Sequence, residues 1–352
     1  MQALLSRSLK AVAAGLLGLL LGGPYVGWSQ QSADSSEKRS DARGRLAEDW
    51  SSLSLAGSDL RLEKPVFGEK DDFPLFTREL IQVKWRTGDL IDLYVIRPKG
   101  SAKPPVIFYL YSYPSETDRF RNDDYCVRLT RDGFAAIGFV SALTGQRYSN
   151  RPMKEWFVSE LQESLATSVH DVQMILNYLS TRDDLDMSKV GMFGDGSGGS
   201  IAILAAATDS RIGAIDVLDP WGDWPDWMAN SSIIPDLERP NFVKPEFLKK
   251  IAPLDPVAWL PKLKSQHVRI QHVLDDTVTP KTSKERIESV APATATIMKY
   301  ETTGQFFGAV SSGRLFQWVK DMVSPPAKPQ PMADSGRKSP PAMRVTDPGH
   351  DD

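Results

Sequence analysis

The sequence predicts an α/β fold, in which a mostly parallel sheet of eight strands carries helices on both faces. Three observations lead to this prediction. A hairpin pattern opens the folded region, strand segments then alternate with helical segments, and continuous apolar runs indicate strands that are covered on both faces. The chain has 352 residues, of which 41% are hydrophobic and 25% charged. This is the composition of an ordinary globular protein.

The predicted hairpin comes first. Residues 80–85 and 90–96 alternate apolar and polar side chains, and Thr87 and Gly88 provide the turn between them. Strands and helices alternate after this hairpin. Further strands are predicted at 105–111, 133–140, 189–194, 212–218, 268–274 and 294–299. Helices are predicted at 123–131, 160–179, 200–207 and 315–323. Because consecutive strand–helix units form parallel pairs, most of the sheet is expected to be parallel.

The N-terminus has the pattern of a secretory signal. Arg7 and Lys10 precede an apolar run over 11–21, and Gly27 and Ser29 provide small residues for cleavage. We therefore expect residues 1–29 to be a signal peptide and the protein to be exported, either periplasmic or secreted. The apolar run is too short for a comfortable membrane span, so no stable membrane anchor is expected after cleavage.

Composition divides the rest of the chain. Residues 30–48 are polar and Ser-rich, which predicts a linker, and residues 324–352 are Pro-rich with few apolar residues, which predicts a disordered tail. The single folded domain is expected over 49–323. Within it, residues 219–262 contain several tryptophans and prolines and interrupt the alternation. We interpret them as a short cap-like insertion over one end of the sheet.

Charge and cysteine content exclude several classes of protein. The chain has 42 Lys+Arg against 45 Asp+Glu, which argues against a nucleic-acid partner. One cysteine, Cys126, excludes an internal disulfide framework and a Cys-rich zinc site. No cofactor and no metal is expected. There are four histidines, His170, His267, His272 and His350, so each can be considered as a catalytic base.

The most informative segment is a Gly-rich turn over residues 190–200, between a predicted strand and a predicted helix. It lacks the lysine of a phosphate-binding loop. Gly194, Gly196 and Gly199 have the spacing of a dinucleotide site, but that motif normally follows the first strand of a domain, and this turn follows the fifth. The third interpretation is a nucleophile elbow, the sharp turn that presents a catalytic serine.

With the hairpin and the strand–helix order, this turn resembles that of the α/β-hydrolase superfamily, in particular its dienelactone-hydrolase and prolyl-oligopeptidase-like members. The resemblance covers about residues 80–323. The elbow requires small residues two before and two after the nucleophile, which are Gly194 and Gly198 when the nucleophile position is 196. That position is Gly196, which has no side chain. Ser197 is the alternative nucleophile, but Asp195 would then occupy a small-residue position.

The resemblance also assigns the other members of the machinery. Asp276 matches the acid position, although an aspartate there could instead cap the next helix. The segment 303–307 matches the loop that carries the histidine, and the histidine position is Gln305. For His170, His267 and His272 a structural role is the stronger interpretation, and His350 lies in the predicted tail.

The predicted pocket beside the elbow also departs from the family pattern. Relatives commonly have glycine after the third strand, whereas this chain has Ser112 and Tyr113 there. The Ser197 N–H would serve the oxyanion hole. Trp221 and Trp224 are expected near the carboxyl ends of the strands, where ligands of such sheets bind, although local packing explains a tryptophan cluster equally well.

These substitutions predict an exported pseudo-hydrolase that has lost covalent chemistry and binds a small-molecule or peptide ligand. The rival hypothesis is an active esterase or peptidase-like hydrolase that uses Ser197, Asp276 and an unidentified base. A third hypothesis is non-covalent chemistry, in which Asp195, Asp275 or Asp276 activates water. Its weakness is that Asp195 is expected to point away from the pocket.

Overall fold

The computed structural model describes residues 48–144 and 160–324. The predicted signal peptide, all of the predicted linker except Glu48 and all of the predicted tail except Ser324 lie outside these residues, as does His350. In the described part of the chain, no helix is long and apolar enough to cross a membrane.

The centre of the molecule is a mixed sheet of nine strands, one more than the eight predicted. The additional strand β1 lies at one edge and pairs antiparallel with β2. The strands are β1 (Val66–Asp72), β2 (Phe76–Arg86), β3 (Asp89–Pro98), β4 (Pro105–Leu110), β5 (Ala135–Phe139), β6 (Asp186–Asp195), β7 (Ile212–Leu218), β8 (His267–Val273) and β9 (Thr296–Tyr300). Their spatial order is β1-β2-β3-β5-β4-β6-β7-β8-β9.

The pairing changes from antiparallel to parallel at β5. The neighbouring pairs β1–β2, β2–β3 and β3–β5 are antiparallel. The remaining pairs, β5–β4, β4–β6, β6–β7, β7–β8 and β8–β9, are parallel. The carboxyl ends of β4, β6, β7 and β8 therefore lie side by side at one edge of the sheet. Ligands of open α/β sheets bind at this edge.

Ten α-helices are assigned in the described residues, and they cover both faces of the sheet. They are α1 (Asp123–Thr130), α2 (Leu161–Leu179), α3 (Ser197–Thr208), α4 (Trp224–Asn230), α5 (Arg239–Phe242), α6 (Pro245–Ile251), α7 (Pro256–Trp259), α8 (Lys281–Val290), α9 (Thr303–Ser311) and α10 (Gln317–Val323). Helices α4 to α7 all belong to residues 219–262, the predicted insertion.

Two apolar clusters form the core, one on each face of the sheet. Strand β4 contributes to both because successive side chains alternate between faces: Val106 and Phe108 join one cluster, and Ile107 and Tyr109 the other. The first cluster includes the buried sides of α2 and α3, and the second includes those of α1 and α10. The core therefore anchors β6 from both sides where it leads into the Gly-rich turn.

Candidate functional site

The turn between β6 and α3 has the backbone of a sharp elbow at Gly196. Its φ is 54° and its ψ is −116°, a conformation that L-residues adopt only under strain and that glycine adopts freely. The N–H of Gly196 donates to the carbonyl of Leu218, and its own carbonyl accepts from the N–H of Trp221. The elbow is therefore fixed against the end of β7.

The glycines on either side of the elbow are required by close packing. A Cβ at Gly194 would lie 2.6 Å from the carbonyl oxygen of Gly198, and a Cβ at Gly198 would collide with the carbonyl of Leu110 at the end of β4. These are the two positions where the sequence predicts small residues. Their packing agrees with position 196 as the tip of the turn.

The space beside Gly196, where a nucleophile side chain would lie, is already filled. A Cβ at this position would be 2.5 Å from the Ser112 hydroxyl oxygen and 3.1 Å from the Trp221 indole nitrogen. Both of these residues are buried. A side chain at this position would therefore be strained by its backbone angles and crowded by its neighbours.

Two backbone N–H groups at the elbow are engaged by side-chain hydroxyls of the protein itself. The Ser197 N–H donates to the Ser112 hydroxyl oxygen at 3.4 Å, and the Tyr113 N–H donates to the Ser197 hydroxyl oxygen at 2.9 Å. Ser197 is 2% exposed. The Ser197 hydroxyl is thus a buried acceptor, and a ligand oxyanion would have to displace these hydroxyls to reach either N–H group.

Asp276 is held by its own loop and by a buried lysine. Its carboxylate accepts from the Thr279 N–H at 3.0 Å and lies 3.9 Å from the Lys284 ammonium group. Lys284 is 2% exposed and donates to the carbonyls of Val273 and Asp276. Burial raises the pKa of Asp276, and the negative charge of Asp219 raises it further. Because α8 begins at Lys281, Asp276 does not cap this helix.

Gln305 lies in the first turn of α9, not in the loop that the sequence predicts there. Its N–H donates to the Thr302 hydroxyl oxygen, and its side-chain oxygen accepts from the Glu301 N–H at 2.8 Å. The side chain is exposed and stabilises the start of the helix. The acid loop and this helix do meet, because the Asp275 carboxylate accepts from the N–H and hydroxyl of Thr303.

The histidines of the described chain lie outside the elbow. His272 is fully buried in β8, with its Nδ1 3.1 Å from the Asp219 carboxylate, and His170 is fully buried in α2, with its Nδ1 2.6 Å from Glu48. His267 is exposed at the start of β8. Asp219 was not among the predicted site residues. Its place directly after β7, at the carboxyl edge of the sheet, is the signal that could have identified it.

Three carboxylates lie at the carboxyl ends of three neighbouring strands: Asp195 is the last residue of β6, and Asp219 and Asp276 follow β7 and β8. Burial raises the pKa of Asp195 to about 7; the Arg119 guanidinium opposes this rise, and the charges of Asp219 and Asp276 add to it. Asp195 is 8% exposed, and within the described residues its carboxylate has no hydrogen-bond or ion-pair partner. Burial raises the pKa of Tyr125 in α1, and the charge of Asp195 adds to this rise.

The tryptophans of residues 219–262 pack on one another. The ring centroids of Trp221 and Trp227 are 4.8 Å apart, and those of Trp224 and Trp227 are 5.9 Å apart. Trp224 is 1% exposed and its indole N–H donates to the Leu254 carbonyl. Trp221 contacts the elbow, and Trp224 belongs to the core of the insertion.

The described structure contains cavities of about 590 and 330 Å³. Gly196, Ser197 and Asp276 line neither of these two cavities. The described residues contain no group of three or more His, Cys, Asp or Glu side chains that could hold a metal ion.

No protein-family model and no curated protein matches the chain. Solved structures do. The acetyl xylan esterase of Paenibacillus sp. R4 has a TM-score of 0.58 at 13% identity, covering 81% of this chain and 98% of that one. The chain has the α/β-hydrolase fold. Acetyl xylan esterase 1 from Thermoanaerobacterium sp. JW/SL YS485 has a TM-score of 0.54 at 14% identity, over 76% and 92% of the two chains.

A larger enzyme has the same fold over part of its length. The Pyrococcus horikoshii acylaminoacyl peptidase has a TM-score of 0.51 at 14% identity, over 75% of this chain and 42% of that one. These likenesses confirm the fold class that the elbow and the strand order predict. An α/β-hydrolase fold supports many activities, so the activity of this chain has to be argued from the residues of its own site.

Proposed function

We propose that the protein is an exported pseudo-hydrolase, an α/β-hydrolase fold that has lost covalent serine chemistry and binds a small-molecule or peptide ligand. One observation carries the proposal: at the tip of the elbow stands Gly196, and the space for a nucleophile side chain is occupied by Ser112 and Trp221. Export is inferred from the signal-like pattern of residues 1–29.

The loss extends beyond the nucleophile. A serine hydrolase needs an activated hydroxyl and a base that takes and returns its proton. Glycine cannot attack a carbonyl, and glutamine at position 305 cannot act as a base near neutral pH. Removing one member of such a triad typically lowers kcat by about 10⁴- to 10⁶-fold, and because the members act as a unit, the losses do not simply add.

The contacts of Ser197 and of the aspartates argue against the two rival hypotheses. The Ser197 hydroxyl oxygen is nearly inaccessible and accepts the Tyr113 N–H. No described histidine has a hydrogen bond to Ser197. The Asp275 carboxylate accepts from the Thr303 N–H of α9, and the Asp276 carboxylate accepts from the Thr279 N–H of its own loop. Neither the cavity of about 590 Å³ nor that of about 330 Å³ is lined by any of these carboxylates, so neither provides them with a shared site for activating water.

The proposal is tested by ester and amide turnover. The purified full chain is assayed with p-nitrophenyl acetate and with an aminoacyl p-nitroanilide, beside Ser197→Ala and Ser112→Ala variants. We expect the same rate for all three proteins, equal to the background rate of surface groups. Turnover that is lost in one of the alanine variants, while that variant remains folded by circular dichroism, would identify a working nucleophile and overturn the proposal.

A further inference from the structure

Strand β9 forms an open edge of the sheet. It is the last strand in the spatial order, and among the described residues β8 is its single strand partner. The pairing with β8 runs without a register shift from Thr296 to Tyr300, so β9 is a regular strand. The outer side of such a strand presents a row of backbone N–H and C=O groups, which is a template for pairing with another strand. This edge lies three strands away from β6 and its elbow, so its use does not depend on the proposed function.

The two edges of the sheet differ in their protection against such pairing. Strand β1, at the opposite edge, carries four charged residues over 69–72 and a register shift directly after Phe67. Charges and bulges are features by which proteins commonly prevent edge pairing. Strand β9 has one charged residue, Lys299, and exposes the apolar side chains of Ile297 and Met298 by 38% and 39%. Of the two edges, β9 is therefore the one that is open to pairing.

The side chains of β9 point alternately to the two faces of the sheet. Ile297 and Lys299 lie on the face that carries α8, where the Lys299 ammonium group is 2.8 Å from the Glu288 carboxylate. Met298 and Tyr300 lie on the other face, where Tyr300 packs against the apolar cluster of α1 and α10. Each face of this edge thus has an apolar side chain of β9 that is partly open to solvent.

Two copies of β9 can pair antiparallel about a two-fold axis in a register that uses the whole strand. Directly opposite residues of an antiparallel pair lie on the same face, so the axis must place one residue opposite its own counterpart. With Met298 at the axis, Ile297 lies opposite Lys299 of the second copy, and Thr296 lies opposite Tyr300. All of β9 is then paired. With Lys299 at the axis, two ammonium groups would be opposite one another, which is destabilising.

The charges and side chains of β9 suit contact with an identical edge. Glu288 neutralises Lys299 within its own copy, so two copies bring no uncompensated charge of β9 together. Thr296 and Tyr300 form a β-branched–aromatic pair across the strands, a kind of pair that stabilises antiparallel sheets. The alkyl part of Lys299 covers Ile297 of the second copy. The edge is therefore self-complementary in charge and in side-chain type.

The size of this edge predicts a weak dimer. Helices α8 and α9 flank β9, since Glu288 binds Lys299 and the Phe306 ring lies 5.6 Å from that of Tyr300. A five-residue strand is about 17 Å long and each helix layer adds about 10 Å of thickness, so one copy contributes roughly 350–500 Å². The two copies together bury less than the roughly 1,200–2,000 Å² of a standard stable interface. A dissociation constant in the micromolar range follows.

We propose that β9 is a self-association surface, through which two copies of this chain form a two-fold symmetric dimer with one sheet continuous across both. Such a contact uses the same surface of each copy and closes on itself, so no further copy is added at β9. The charged strand β1 of each copy then forms the two ends of the joined sheet.

The first experiment measures the oligomeric state of the full-length protein by sedimentation velocity, from about 1 to 300 µM. We expect a monomer–dimer equilibrium. Met298→Lys places two ammonium groups side by side at the axis and should raise the dissociation constant at least about tenfold. The matched control is Val66→Lys on β1, where the side chain is 59% exposed, and it should leave the dissociation constant unchanged.

Three results of this experiment would overturn the proposal. They are a wild type that stays monomeric throughout, a Met298→Lys variant that dimerises like the wild type, and equal weakening by the two lysine substitutions. If the wild type is monomeric and a variant ending at Ser324 dimerises, residues 325–352 of the same chain occupy the edge instead of a second copy.

A second experiment tests the register by disulfide crosslinking under an added thiol oxidant. Opposite residues of an antiparallel pair have Cα atoms about 4.5–5.5 Å apart, within the range of a disulfide, so Met298→Cys should crosslink two copies. In Ile297→Cys the two thiols are diagonal neighbours, about 7–8 Å apart, and should not crosslink. Cys126, the native cysteine, is buried and does not compete. Equal crosslinking of both variants, or none in Met298→Cys, would contradict the proposed pairing.

Discussion

Replacement of Gly196 by alanine measures how completely the elbow is filled. Alanine adds one methyl group at the position where the nucleophile side chain would begin, 2.5 Å from the Ser112 hydroxyl oxygen and 3.1 Å from the Trp221 indole nitrogen. It also places an L-residue at a φ of 54° and a ψ of −116°. Backbone strain of this kind costs about 1–3 kcal/mol, and overpacking of a buried site costs about 1–3 kcal/mol.

We therefore expect Gly196→Ala to lower the free energy of unfolding by about 2–6 kcal/mol. The steric contribution to this loss of stability can be separated from the contribution of backbone strain. Ser112→Gly removes both side-chain atoms of residue 112 that crowd the methyl group, so the double variant should recover about 1–3 kcal/mol relative to the sum of the single variants. In the double variant, the backbone strain at residue 196 and the contact with Trp221 remain.

The assay is equilibrium urea unfolding followed by tryptophan fluorescence. It compares the wild type, the two single variants and the double variant at one pH. Gly308→Ala is the matched control: this glycine lies in α9 with open space around it, and alanine there should stabilise the protein by about 0.5–1 kcal/mol. A Gly196→Ala variant as stable as the wild type, or strictly additive effects of the two substitutions, would refute the account of a filled elbow.

Two further predictions concern the pH dependence of stability. The pKa of Asp195 is raised to about 7, so its protonated form favours the folded state below the ordinary aspartate pKa, and this contribution is lost as the pH rises towards 7. Asp195→Asn should therefore be more stable than the wild type at pH 8, by up to about 4 kcal/mol, with the difference disappearing towards pH 4; urea unfolding across this range measures it. The pKa of Glu48 is lowered to about 2 by hydrogen bonds from Arg86 and His170 that outweigh burial, so its contribution is present above its ordinary pKa and lost as the pH falls towards 2. Glu48→Gln should cost roughly 2–3 kcal/mol at pH 7, and an equal cost at pH 7 and pH 3 would contradict the assignment.

The elbow was predictable because its constraints are local. Small residues at 194 and 198 are required by the path of the backbone, so the sequence pattern alone indicates that the turn is sharp and places Gly196 at its tip. The filling of the space beside Gly196 was not predictable in this way. It depends on the loop after β4, which the parallel pairing of β4 with β6 brings against the turn.

The polar residues of β8 depend on a partner in the neighbouring strand that sequence patterns do not reveal. Arg269 and Gln271 interrupt the apolar pattern of β8, and both bind the buried Asp216 carboxylate of the neighbouring strand β7.

At residue 305, the sequence carries a helix-start signal, because Thr302 and Gln305 have the spacing of a capping box. The resemblance to the family's histidine loop favours a loop at the same residues, whereas the structure has the helix α9 there.

The proposal that the protein lacks serine-hydrolase chemistry is tested most directly by labelling the full-length protein with a fluorophosphonate and measuring the intact mass. The probe reacts with an activated serine whatever the natural substrate is. Our account predicts no adduct under conditions in which an active serine esterase is labelled stoichiometrically. A stoichiometric adduct that disappears in Ser197→Ala would contradict it and establish Ser197 as a working nucleophile.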